Sequence, residues 1–100
     1  MTVTNILNQK PFKAITETDV RIVVGSVMKY YRTNGIDITN FDPFECGCIN
    51  GKVITIKDLQ LIANRFYVLL NLNIPMVTTE SKIATIENLK GMYHRIKRLI

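Results

Sequence analysis

Residues able to do covalent chemistry are scarce in this sequence, which in 100 residues has two cysteines, one histidine and two serines, Ser26 and Ser81. The cysteines form a lone Cys46-Gly47-Cys48. Together with His94 they offer three ligands, but the second pair of a structural zinc site is missing. The same residues suggest a nucleophile and a base, yet no third group is spaced to orient them. Phosphate loops, dinucleotide fingerprints and zinc-protease motifs do not occur, and no acidic pair has an acid-and-base context. The expectation is a non-enzyme, with no catalytic residue and no metal.

Long apolar runs are also lacking, so no membrane span is expected. A charged n-region followed by an apolar h-region does not open the chain, and with so few cysteines this points to a reducing, cytoplasmic setting. There is no repeat of 20–50 residues and no low-complexity tract.

What is present is an ordinary apolar share of 47% with 21% charged residues, enough for one small domain. The net charge of +5 and pI near 9.4 favour anionic partners such as nucleic acid or an acidic protein surface.

Residues 1–15 contain Pro11 and little periodicity, which reads as an N-terminal arm, leaving 16–100 as a single helical domain. Thr16 and Asp19 have the spacing of a capping box. Behind them Val20, Val23, Val24, Val27, Tyr30 and Tyr31 follow the three-and-four spacing of a helix over 17–33, which Asn34-Gly35 stops. Next comes a long connection with Pro43, Gly47 and Asn50-Gly51, anchored by Phe41, Phe44 and Ile49. Asn50-Gly51 also suits a hairpin turn, so a two-stranded ribbon remains open.

Thr55 and Asp58 repeat the capping-box spacing before a stripe of Ile56, Leu59, Ile62, Ala63, Phe66, Leu69 and Leu70, widened by Leu61, Tyr67 and Val68. Such a broad stripe predicts a helix central to a bundle. It should end near Asn71, since Pro75 disfavours helical geometry at Ile74. Thr85 then caps a last helix with Ile86, Leu89, Tyr93, Ile96 and Ile100 facing inward. Lys90, Arg95, Lys97 and Arg98 lie mostly on its other side, as a solvated face or as a surface for nucleic acid or an acidic partner. Tyr30, Tyr31, Tyr67 and Met92 either cap the edges of so small a core or spill from it and mark an interface.

The stretch NLNIPMVTTESKIATIENL, Asn71 to Leu89, resembles the joint of acyl carrier proteins, with Ile74-Pro75 followed by Lys82-Ile83-Ala84-Thr85-Ile86. Over about Val20 to Ile96 the resemblance implies an all-α four-helix bundle with a long loop between its first two main helices. It also implies a 4'-phosphopantetheine arm on a serine at the start of the second main helix, and enzyme partners that read an acidic surface there. In this chain Thr55 holds the attachment position, and Lys57 and Arg65 stand where acidic residues are expected. The resemblance therefore implies a divergent carrier-like module without the arm, acting by protein–protein contact. The alternative is a small basic helical protein that binds nucleic acid or serves as a regulatory accessory.

Overall fold

The computed structural model describes residues 2–45, 49, 51, 53–75 and 81–100. Among them are four helices and no strand: α1 (Val3–Leu7), α2 (Glu17–Thr33), α3 (Ile56–Leu69) and α4 (Ile86–Lys97). The chain is a small all-α bundle, as the periodicity predicts.

The three longer helices start by the same device. Thr16, Thr55 and Thr85 each sit in extended backbone, accept from the N–H three residues on, and have their own N–H bound by the side chain of that residue, Asp19, Asp58 or Asn88. Each box satisfies two groups that a helix start leaves free. The residue before each threonine, Ile15, Ile54 or Ala84, is buried, so the caps are tied to the core.

The caps also lie together. Thr55 is bridged to Ile83 and Ala14 to Thr85 in antiparallel pairs. Ala84 N–H donates to Ile54 O and Ile56 N–H to Lys82 O, both at 2.9 Å. On the other side, Ile86 N–H donates to Lys13 O at 2.9 Å. The segment entering α4 thus runs between those entering α3 and α2, and three helix starts share one pole.

From that pole the helices run in the same general direction. The Tyr31 hydroxyl, near the end of α2, donates to the carbonyl of Ile96, near the end of α4. The Phe66 ring of α3 meets Tyr31 edge-on at 5.4 Å, and Phe41 from the long connection meets Phe66 at 4.9 Å. Phe44 packs on the same core and Ile49 is buried, so all three expected anchors hold the loop down.

Four expectations are corrected. The first 15 residues are not an irregular arm: α1 packs against α2 and α4, and Ile6, Leu7 and Ile15 are buried. Five residues with two inward side chains are too short to show a period. Helix α4 rather than α3 is central, since it packs against each of the others. Val68 of the widened α3 stripe is exposed. Ile100 lies beyond the end of α4 and is exposed, while Met92 and Tyr31 are fully accommodated in the core.

The end of α3 falls near Asn71 as expected, though by a different cause. The helix stops at a left-handed Asn71 (φ 58°), with Leu72 N–H bound to Tyr67 O at 2.9 Å and Asn71 N–H to Val68 O at 3.1 Å. This is the two-bond C-terminal cap usually made by glycine. It acts before Pro75 can. The end of α2 has the same pattern with Gly35 (φ 83°), where Ile36 N–H reaches Tyr31 O.

Candidate functional site

Thr55, the residue expected from the carrier resemblance at the attachment position, has its hydroxyl engaged in the cap. Its Oγ accepts from Asp58 N–H at 3.2 Å, and Asp58 Oδ2 accepts from Thr55 N–H at 2.8 Å. The bridge to Ile83 clamps the backbone on the other side. Lys57 is exposed on the first turn of α3, where a cation opposes the helix dipole. Arg65 is half-buried and its guanidinium pairs with Glu45 at 2.8 Å, so its charge is spent within the molecule. Thr55, Lys57 and Arg65 therefore do not converge on one open site.

The cations of the last helix are divided by its packing. Arg95 turns toward α3 and donates to Gln60 Oε1 at 3.2 Å, Arg98 is the C-cap residue, and Lys90 lies by the end of α1 with Leu7, Phe12 and Ile86. Lys97 turns the other way, toward α2. There it completes a groove of about 270 Å³ lined by Ser26, Val27, Lys29, Tyr30, Thr33, Tyr93 and Lys97.

This groove brings together residues that spacing alone leaves apart. Ser26, Lys29, Tyr30 and Thr33 form one stripe of α2, and Tyr93 and Lys97 one stripe of α4. The Lys97 ammonium lies 5.1 Å from the Tyr30 ring centroid and 5.3 Å from that of Tyr93, and donates to the Tyr93 hydroxyl at 3.1 Å. The Tyr30 ring lies within cation–π range of the ammonium, which meets Tyr93 through its hydroxyl. Thr33 donates its hydroxyl to Lys29 O at 2.8 Å, which fixes that side chain over the last turn.

Carboxylates are absent from this region of the sequence. No Asp or Glu occurs between Val20 and Ile36 or between Asn88 and Ile100. Among the described residues the ion pairs are Arg21–Glu17 and Arg65–Glu45. Lys29, Arg32, Lys90, Arg95, Lys97 and Arg98 therefore present uncompensated charge over α2 and α4. Sequence reasoning found the α4 half of this set and singled out Tyr30 as an interface candidate, but missed Lys29 and Arg32 and did not bring Tyr30 and Tyr93 together. The available signal was the shared three-and-four spacing of Ser26, Lys29, Tyr30 and Thr33.

Below the groove, burial pushes the Tyr31 phenol up to about 12, with the neighbouring Tyr67 adding to the shift. Tyr31 is a neutral structural donor. His94 is exposed, its ring 5.2 Å from that of Tyr93. Cys46, Gly47, Cys48 and Asn50 lie outside the described residues, so the metal reading and the hairpin turn fall outside them too. No group of three or more metal-ligating side chains occurs among the described residues, and no helix there is long and apolar enough to cross a membrane. No family model, curated protein or solved structure matches this chain.

Proposed function

We propose that this protein is a non-catalytic binding module that engages an anionic partner through the basic surface of α2 and α4. The observation that carries this reading is the run of cations Lys29, Arg32, Lys90, Lys97 and Arg98 without an ion-pair partner among the described residues, on two packed helices whose sequences hold no acid beyond their first turns. A surface of one sign raises the encounter rate with an oppositely charged macromolecule and makes binding sensitive to salt. Elution from immobilised heparin tests it. Arg32→Glu with Arg98→Glu, both exposed positions, should elute at markedly lower salt than wild type, and equal elution would contradict the assignment.

A second reading belongs to the opposite pole. The likeness of Asn71–Leu89 to the carrier joint suggests a divergent, arm-free carrier-like module that meets a protein at the start of α3. In support, Val53 is 65% and Ile83 56% exposed there, beside exposed Lys57. Val53→Asp would abolish such an interaction while leaving heparin elution unchanged.

A further inference from the structure

We infer that the groove between α2 and α4 is a binding site for single-stranded nucleic acid, with phosphate held by Lys29 and Lys97 and a base stacked on Tyr30. This rests on the reading of α2 and α4 as an anion-binding surface and names the partner of that surface.

Three features narrow the ligand. First, the groove is cationic and aromatic at once: Lys97 already lies by the Tyr30 ring and the Tyr93 hydroxyl, and Ser26 and Thr33 add hydroxyls to the lining. Cations interleaved with aromatic faces suit a strand that offers a phosphate and a base in alternation, since every base has a π face. A run of acidic side chains offers carboxylates but supplies no π face of its own for Tyr30. The groove proper also holds lysines rather than the planar arginine fork that grips carboxylates in pairs.

Second, size matters. About 270 Å³ falls below the usual range for a self-contained small-molecule pocket, so one unit of a longer ligand fits better than a whole free ligand. Third, the groove is bounded by two packed helices, whose axes lie about 8–10 Å apart. A flexible single strand can follow such a shallow furrow and turn a base onto the Tyr30 face, whereas a duplex keeps its bases stacked inside. When a phosphate draws the Lys97 ammonium off the ring, the face of Tyr30, 36% exposed, becomes free for a base.

Fluorescence anisotropy with labelled oligo(dT) of about 10 nucleotides, a duplex of equal length and polyglutamate as competitor tests the inference. The single strand should bind more tightly than the duplex, and polyglutamate at equal charge should displace it poorly. Tyr30→Leu should weaken single-strand binding on the order of ten- to a hundredfold while Tyr30→Phe stays within about twofold. Lys29→Gln with Lys97→Gln should flatten the slope of log K against log salt by about 1.4, or about 0.7 for each phosphate no longer neutralised. Circular dichroism of each variant confirms that the helices are intact. Duplex preference, an unaffected Tyr30→Leu or efficient displacement by polyglutamate overturns this inference alone, the last assigning an acidic protein. Failure of wild type to bind oligo(dT), duplex and heparin at low salt overturns the anion-binding reading with it.

Discussion

Thr55 shows how one hydroxyl answers two different questions. In a carrier it would have to be free for esterification, but here it accepts the Asp58 N–H while its own N–H is held by the Asp58 carboxylate. Thr55→Ala should therefore cost about 0.5–2 kcal/mol of stability, read as a lower denaturation midpoint, and Thr55→Ser should retain most of it. Intact mass after coexpression with a broad-specificity phosphopantetheinyl transferase should show no added arm on wild type. An added arm would return the protein to the working carriers. All three threonine caps were legible in the sequence, because a capping box spans only four residues. Tyr31 was legible as a core residue but not as a hydrogen-bond donor to Ile96, since that bond joins two helices far apart in the chain.

The Tyr31 phenol also sets a pH limit. It titrates at its ordinary value of 10.0 in the unfolded chain and near 12 in the fold, so on raising the pH the unfolded chain loses its proton first. Its contribution is fully present below pH 10 and is lost as the pH rises toward about 12. Fluorescence-monitored denaturation should show stability falling across that interval, with a smaller fall in Tyr31→Phe.

At the scale of elements, the ends of helices depended on chemistry that a periodic pattern does not contain. Helix α2 came out at its expected bounds because Gly35 is an unmistakable stop. Helix α3 ends four residues before Pro75 on a left-handed asparagine, a weaker signal than proline. Asn71→Gly should relieve the left-handed strain and raise stability by up to about 1 kcal/mol, whereas Gly35→Ala should lower it by about 1–2 kcal/mol in the same denaturant titration. Helix α1 was illegible for a different reason: a single turn contributes Ile6 and Leu7 and nothing periodic. Because Ile6 is fully buried, Ile6→Ala should cost about 2–5 kcal/mol. A change below about 0.5 kcal/mol would mean that the first 15 residues are an arm after all.

For the whole molecule, the arrangement separates two poles. Short extended segments gather the three capped helix starts at one end, where Asp19, Asp58 and Glu87 lie among Lys13, Lys57 and Lys82. Along α2 and α4 beyond their first turns there are no acids and the cations accumulate, while Asp37 lies in the connection beside the end of α3. Composition announced the excess of positive charge, but only packing reveals that Lys29 and Tyr30 face Tyr93 and Lys97 across one groove. The most direct measurement is amide chemical-shift mapping of isotope-labelled protein titrated with oligo(dT) at low salt. The expected result is perturbation concentrated in residues 26–33 of α2 and 90–98 of α4. Perturbation centred instead on Thr55, Lys57 and Ile83, or none at all, would contradict an anion-binding surface on α2 and α4.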